Sequence, residues 1–282
     1  MKHLLSLFLL LPMLCMAQPD RTAYSKLPSQ DELTTINDSI LQEGLRLYTY
    51  EKLSWLASDL LAEHAAVDLT SIRGSAVELG DNGKLTHFYC RQDSVVFSCT
   101  LDLNDFSLSW DNTVRPMTDD DRDAVHFRSD IINRIIETYG DSIYTIQDGS
   151  INIDLIWLGT DNLRAYLLQG TTLNGVIPFG NDYYVDIDRD GNLIEFHRFH
   201  HSYIPIDIRQ AGENTQVLEV IHSHTVDNPF FTPTDICNAL LYAHDLYGMK
   251  SVCILSTVFD PSVIMTFNMD DMSITVNEWE PH

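Results

Sequence analysis

The spacing of apolar residues changes along the first half of the chain. From Asp31 to His64 they recur with a period close to 3.6, which predicts a helical segment that Gly44 kinks or divides into two helices. From residue 69 to residue 115 the period is two, as in antiparallel strands. Asn82-Gly83 predicts a tight hairpin turn in this region, because the favoured turn needs positive φ at both central positions.

The second half also combines helical and strand patterns. Helical stretches are predicted to begin at Thr118, which precedes three aspartates, and to run again from Ser129 to Gly140. Strand patterns follow from Ile151 onward, and one helix, Asp235 to Tyr247, lies between a strand and the terminal strands. We therefore predict an α+β fold of mostly antiparallel sheets, with an N-terminal helical segment and a C-terminal strand–helix–strand unit.

Four regions are predicted along the chain. Gly149-Ser150 precedes the second series of strands, so we place a boundary there. The regions are a signal peptide (1–17), a disordered lead-in (18–30), an N-terminal α+β region (31–148) and a C-terminal α+β domain (149–282).

The first seventeen residues have the pattern of a secretory signal. Lys2 and His3 form a short basic region, Leu4 to Leu14 form an apolar core, and Ala17 with Cys15 two residues before it fits a cleavage site. The residues before Cys15 match a lipobox poorly, which favours cleavage near Ala17 over lipid anchoring at Cys15. We expect a secreted or periplasmic protein.

Charge narrows the classes of partner. The chain of 282 residues carries 41 acidic and 17 basic residues, a formal charge of −24, and such a surface repels nucleic acid and anionic membranes. No later apolar run is long enough to span a bilayer, so no transmembrane segment is expected. Nucleic-acid binding is excluded as a function.

Four cysteines remain after the signal: Cys90, Cys99, Cys237 and Cys253. An oxidising compartment permits disulfides, and Cys90 and Cys99 flank a predicted hairpin that could bring them together. Their apolar surroundings favour buried free thiols instead.

A pair of histidines carries the clearest chemical signal. His222 and His224 lie at the end of an apolar strand, where residues two apart point to the same face. A helix is predicted to begin near Thr232, with Asp235 in its first turn. Two imidazoles and a carboxylate in this arrangement are typical ligands of zinc.

The spacing of this motif resembles that of the JAB/MPN zinc peptidases, H-x-H-x7-S-x-x-D. The resemblance, which covers residues 217–258, implies that His222, His224 and Asp235 hold zinc and that Thr232 replaces the serine that stabilises the oxyanion. It also implies hydrolysis of an amide or isopeptide bond in a peptide or protein substrate. Zinc with three protein ligands keeps one position open for the water that attacks a carbonyl.

Two departures separate the chain from this family. Thr225 occupies the place of the usual proline, and no glutamate lies between Glu137 and Glu195, where the family's general base is expected. The residues that fall in that neighbourhood are Gln169, Asp182 and Asp186.

Thr232 to Asp235 also fit an ordinary helix N-terminus, with a threonine cap and proline at the first helical position. The alternative is a non-catalytic envelope or binding protein with structural histidines.

Further histidines lie near the predicted site in sequence. His197, His200 and His201 follow one another on or just after a strand, and His200 or His201 joins the site if this strand lies near the H-x-H strand. Three longer segments resemble a group of secreted bacterial proteins with no assigned activity, which supports the secreted interpretation alone. These segments are Leu47 to Trp55, Phe179 to Tyr183 and Thr232 to Tyr242.

Overall fold

The structure, a computed structural model, describes residues 26–64, 67–146, 149–159, 161–211 and 216–280. The predicted signal peptide (1–17), including Cys15 and Ala17, lies outside the described residues, as does the lead-in up to residue 25.

Three α-helices organise the described chain: α1 (Gln30–His64), α2 (Asp119–Tyr139) and α3 (Pro233–Asn238). α1 continues through Gly44 as a single helix. Glycine is needed at this position because α3 packs closely against it. A Cβ atom on Gly44 would lie 2.5 Å from the Cβ atom of Ile236 in α3. α2 is also a single helix where two stretches were predicted, and it begins with a capping box formed by Thr118 and Asp121.

Fifteen strands in the described ranges form four sheets. The first sheet contains β1 (Gly74–Leu79), β2 (Lys84–Arg91), β3 (Ser94–Asp102), β4 (Leu108–Asp111) and β5 (Arg115–Pro116). The second contains β6 (Gly149–Trp157), β7 (Asn162–Thr171), β9 (Tyr183–Asp188) and β10 (Leu193–Arg198). β8 (Val176–Gly180) pairs with β11 (Tyr203–Asp207). The fourth contains β12 (Glu219–His224), β13 (Ser251–Ser256), β14 (Val263–Asn268) and β15 (Ser273–Glu278).

The strand pairings confirm the predicted α+β class. Among the described residues β12 and β13 form a parallel pair, joined through α3, and the other pairs are antiparallel. This pair is the predicted strand–helix–strand unit. β11 was not predicted, because Pro205 interrupts its pattern. Pro205 faces Pro178 in β8, and both strands belong to a two-stranded sheet in which proline is tolerated.

The main hydrophobic core joins α1 to the C-terminal helix and sheet. Leu47 and Leu53 of α1 are completely buried in the same cluster as Ile236 of α3 and Phe267 of β14. α3 continues into a π-helical turn, Ala239–His244, so the predicted helix exists in two geometries. This packing fixes α3 against α1 and thereby fixes the position of the residues at its N-terminus.

All four described cysteines are buried and unpaired, which agrees with the favoured interpretation. Among the described residues, no helix is both long and apolar enough to span a bilayer.

Candidate metal centre

Four side chains from three segments converge at one buried point. They are His222 and His224 of β12, Asp235 of α3 and His200, which follows β10. Each offers one ligand atom, and these atoms lie within 4.8 Å of one another. All four side chains are buried, so the cluster can hold a metal ion away from solvent.

The distances within the cluster fit a single small ion. The Nε2 atom of His224 lies 3.0 Å from Nε2 of His222 and 3.1 Å from Nε2 of His200. The Oδ1 atom of Asp235 lies 3.3 Å from Nε2 of His222 and 3.5 Å from Nε2 of His200. Ligands of a tetrahedral zinc ion are separated by roughly 3.3 Å, given zinc–ligand bonds of about 2.0–2.1 Å.

β12 places two of the ligands by simple alternation. Val220, His222 and His224 are buried, whereas Glu219 and Ser223 are exposed and Ile221 is half-buried. This is the pattern that the sequence predicted. The ring of His222 stacks on Phe179 at a centroid distance of 4.7 Å, so its orientation is fixed by packing. Both imidazoles therefore point from the strand into the same interior space.

α3 presents the carboxylate through its capping box. The backbone N–H and the hydroxyl of Thr232 both donate to Oδ2 of Asp235, each at 2.8 Å, and the Asp235 N–H donates to the Thr232 hydroxyl. The other oxygen, Oδ1, is buried and has no hydrogen-bond partner in the described chain. A buried carboxylate oxygen without a donor is costly, and a metal ion would satisfy it.

The loop between β8 and β9 positions the third histidine. Asp182 accepts a hydrogen bond at Oδ1 from Nδ1–H of His200, at 2.8 Å, and at Oδ2 from the hydroxyl of Thr234. Gly180 (φ +73°) turns the chain immediately before Asp182. A Cβ atom on Gly180 would collide with the carbonyl oxygen of Ser202, so glycine is required at this close approach.

The outer hydrogen bonds define which nitrogen of each ring faces the centre. His200 donates from Nδ1 to Asp182, and His224 donates from Nδ1 to the carbonyl of Asn228 at 2.9 Å. When both rings are neutral, each of these Nε2 atoms, 3.1 Å apart, carries a lone pair that a metal ion can accept, and protonation of His200 places one proton between them. Histidines that bind metals usually donate their second N–H to a carboxylate or a carbonyl, as both rings do here.

The pKa values of the ionisable side chains in the cluster are shifted in different directions. Burial lowers the pKa of His222 to about 4. Burial opposes protonation of His200 as well, but the Asp182 and Asp235 carboxylates raise its pKa to about 9. Although burial raises the pKa of Asp235, the neighbouring His200 and His224 hold it well below its usual value. Two carboxylates are thus buried beside the three rings, and one imidazolium neutralises only one of their charges.

The predicted site residues differ in their placement. The structure brings together His222, His224 and Asp235, and it adds His200, which the sequence left as an alternative. Thr232 is buried and bonded to Asp235 and Thr234, and its predicted catalytic role stays a prediction. His201 instead points outward and lies 3.1 Å from the exposed Asp227.

The three residues considered in place of the glutamate that the JAB/MPN resemblance implies have different contacts in the structure. Asp182 contacts the cluster through His200, whereas Gln169 accepts a hydrogen bond from Asn181. Asp186 pairs with Arg164 at 2.7 Å. Sequence reasoning missed the orienting roles of Asn228 and Thr234, because neither residue belongs to a motif.

Comparison with protein-family models, curated proteins and solved structures finds no match to this chain.

Proposed function

We propose that this protein holds one divalent transition-metal ion, most suitably zinc, in a closed site formed by His200, His222, His224 and Asp235. The observation that carries this proposal is the convergence of the Nε2 atoms of His200 and His224, which lie 3.1 Å apart while their Nδ1–H groups donate to Asp182 and to the carbonyl of Asn228. A divalent ion would replace the proton of the His200 imidazolium and be coordinated by both Nε2 atoms. Three imidazoles and a carboxylate are ligands that zinc accepts.

Charge balance supports a divalent ion. The buried carboxylates of Asp182 and Asp235 contribute two negative charges, and a divalent ion beside three neutral rings cancels both. The metal-free cluster can use the imidazolium of His200, which leaves one negative charge uncompensated in the interior. Burying an uncompensated charge is costly, so ion binding is favoured.

The number of ligands favours a structural role over a catalytic one. Structural zinc sites use four protein ligands, whereas catalytic sites keep one position for water. Here His200 occupies the fourth position. The ion would tie together the segment after β10, the end of β12 and the start of α3, and so would stabilise the C-terminal half.

The second candidate is a zinc-dependent hydrolase that resembles the JAB/MPN peptidases. The spacing of His222, His224 and Asp235 favours it. This function requires His200 to leave the ion so that water can bind, and it requires a base in place of the missing glutamate. Asp182 is the carboxylate nearest to that position, but it already accepts from His200 and Thr234. The closed non-catalytic site is therefore our preferred proposal.

We also propose that the chain is exported, on the pattern of its first seventeen residues. Mass determination of the protein from the cell envelope or the medium tests this. A mature chain that starts at Gln18 is the expected result, and an intact N-terminus in the cytoplasm would contradict it.

Cobalt substitution tests the closed site directly. The metal-free protein should take up one Co²⁺ per chain and give the intense visible absorption of a tetrahedral ion. Addition of azide, which binds at an open position, should leave this spectrum unchanged. A spectrum that shifts with azide, together with hydrolysis of peptide substrates, would establish the second candidate instead. Absence of any cobalt or zinc binding would reject both.

A further inference from the structure

A large cavity lies where α1 and α2 meet the first two sheets. It shares no lining residue with the metal cluster. Its volume is about 1110 Å³. Consecutive residues 76–79 of β1 line one side, and Asp154, Leu155 and Trp157 of β6 line another. β1 and β6 are both outer strands of their sheets, so the cavity lies along two strand edges. Residues of α1 and α2 complete its walls.

Asp154, which lines this cavity, and two buried residues behind the lining have polar atoms without hydrogen-bond partners. Eight buried side-chain atoms of the described residues lack a hydrogen bond, and four of them belong to Glu51, His87 and Asp154. They are Oε1 of Glu51, both ring nitrogens of His87 and Oδ2 of Asp154. Asp154 lines the cavity directly and is only 7% exposed. Native proteins rarely leave such atoms unsatisfied, so a ligand or water is expected to supply the missing partners.

The unsatisfied atoms call for a hydrogen-bond donor with positive charge. Burial and the Asp154 carboxylate raise the pKa of Glu51 well above its usual value, and burial raises the pKa of Asp154, so the pair disfavours carrying two negative charges. Burial lowers the pKa of His87 to about 3, which keeps that ring neutral. Carboxylates also lie among the lining residues on the side of β1 and α2, namely Glu78, Asp120 and Asp123.

Two arginines also line the cavity, and the charge of Arg128 partly offsets that of Asp154. Arg46 already donates to the carbonyl of Trp157 at 2.8 Å, and Arg128 donates to the carbonyl of Ile153 at 2.9 Å. These bonds hold both guanidinium groups against the outer edge of β6. The unsatisfied buried atoms that remain in this region are the acceptors of the carboxyl pair and the nitrogens of His87.

The mouth of the cavity is apolar and exposed. Phe106 is 71% exposed, and Leu79, Trp157 and Phe127 are 56%, 42% and 36% exposed. All four line the cavity. Large apolar side chains around a cavity with a few convergent polar groups are the usual composition of a small-molecule site, and the volume is slightly above the common range of such sites, about 300–1,000 Å³.

We propose that this cavity binds an organic ammonium ion carried on an apolar body. The ammonium group pairs with the carboxylate of Asp154, which lines the cavity, and the apolar body packs against Phe106, Phe127 and Trp157. The acidic lining and the net charge of −24 attract such a cation to the opening. The site is independent of the metal cluster, so either proposal can fail without the other.

Three probes with the same chain length and different head groups test this assignment by isothermal titration calorimetry. They are n-octylamine, n-octanol and octanoate, each used as a monomer at neutral pH and low salt. We expect octylamine to bind one site per chain, octanol to bind at least tenfold more weakly, and octanoate not to bind. Octanoate binding as tightly as octylamine, or no binding of octylamine, would overturn the proposal.

Substitutions locate the binding within the protein. Asp154→Asn keeps the shape of the side chain and removes its charge, and we expect it to weaken octylamine binding at least tenfold. Glu137→Gln removes one exposed charge from the same helix as Phe127, outside the cavity, and is expected to leave binding unchanged. Phe127→Ala provides a second cavity variant at a half-exposed helical position where folding is expected to be retained. It should weaken octylamine several-fold, and unchanged binding in both cavity variants would reject the site.

Discussion

Two buried polar clusters in this protein differ in how their polar side-chain atoms are arranged and hydrogen-bonded. In the metal cluster, the outward atoms of His200, His224 and Asp235 are bonded to the protein, and their other atoms meet at one point. Around Glu51, His87 and Asp154, the unsatisfied atoms come from three different elements, and Asp154 lines a large cavity. Convergence with a bonded outer layer indicates a small ion, whereas dispersed acceptors beside a cavity indicate a larger ligand.

Removal of the ion should destabilise the metal cluster and leave the cluster around Glu51, His87 and Asp154 unchanged. We expect a chelator to lower the melting temperature by about 10 °C, because an ion present at a thousandfold its Kd stabilises the native state by about 4 kcal/mol. Calorimetry with and without chelator measures this shift. The Asp235→Ala variant serves as control and should not respond to chelator. An equal response of the variant would place the ion elsewhere.

Neighbouring histidines should differ sharply in their effect on ion binding. His200→Ala removes one ligand, and we expect metal affinity to fall by more than about 100-fold, because loss of an outer-layer partner alone costs about 10–100-fold. His201→Ala, which removes an exposed ring outside the cluster, should leave affinity unchanged. Competition titration with a chromophoric chelator gives both values. Equal affinities in the two variants would contradict the four-ligand site.

The outer layer can be weakened without removal of a ligand. Asp182→Asn keeps the shape at this position but replaces a charged acceptor of the His200 N–H by a neutral one. We expect metal affinity to fall by about 10–100-fold and one ion per chain to remain at saturation. Asp186→Asn, which affects the ion pair with Arg164, is the control. An unchanged affinity in Asp182→Asn would show that the carboxylate does not support the ion.

The second cluster should gain stability at neutral pH when the titratable carboxyl group of Glu51 is removed. The pKa of Glu51 is raised above its ordinary value of 4.5 by burial and by Asp154, so the folded state loses stability as pH rises above that value. Glu51→Gln removes this loss, and its amide can donate to Asp154. We expect the variant to match the wild type near pH 4 and to be more stable at pH 7, by on the order of 1 kcal/mol. Urea unfolding across this pH range measures the difference.

The exposed Glu63→Gln change is the matched control and should show no such pH dependence. A Glu51→Gln variant that is less stable than wild type at neutral pH would mean that the buried charge is compensated within the protein.

The smallest effects separate helix capping from ion binding. Thr118 and Thr232 form capping boxes at the starts of α2 and α3. Thr118→Ala and Thr232→Ala should each lower the free energy of unfolding by about 1 kcal/mol, measured by denaturant titration of the metal-free protein. Thr232→Ala should also weaken metal binding, since the hydroxyl holds Asp235 in position, whereas Thr118→Ala should not. Equal metal affinities would restrict Thr232 to capping.

The sequence predicted the fold well where local patterns decide it. The hairpin at Asn82-Gly83, the cap at Thr232 and the alternation through His222 and His224 all follow from rules over a few residues. The predicted turn geometry was wrong, because only Gly83 (φ +74°) has positive φ and Asn82 does not. The sequence left open whether Gly44 kinks or divides α1, because glycine usually weakens helices. The close tertiary contact of Gly44 with Ile236 explains why glycine occurs at this position. Packing overrides propensity at such positions.

Three of the four residues of the metal cluster could be predicted from the sequence, and the fourth depended on long-range geometry. His222, His224 and Asp235 lie within fourteen residues of one another. His200 could be named as an alternative but not chosen over His201, because the choice depends on where the chain leaves β10. Asp182 was considered as a base, and the structure places it as the hydrogen-bond partner of His200. That role becomes visible only when the loop between β8 and β9 approaches the end of β12.

The metal content of purified protein tests the central claim most directly. Elemental analysis by mass spectrometry should find one divalent transition-metal ion per chain, with zinc as the expected element, after dialysis against metal-free buffer. The His222→Ala and Asp235→Ala variants should contain none, while His201→Ala should contain one. A wild-type chain that contains no metal and binds none on titration with Zn²⁺ would contradict the account.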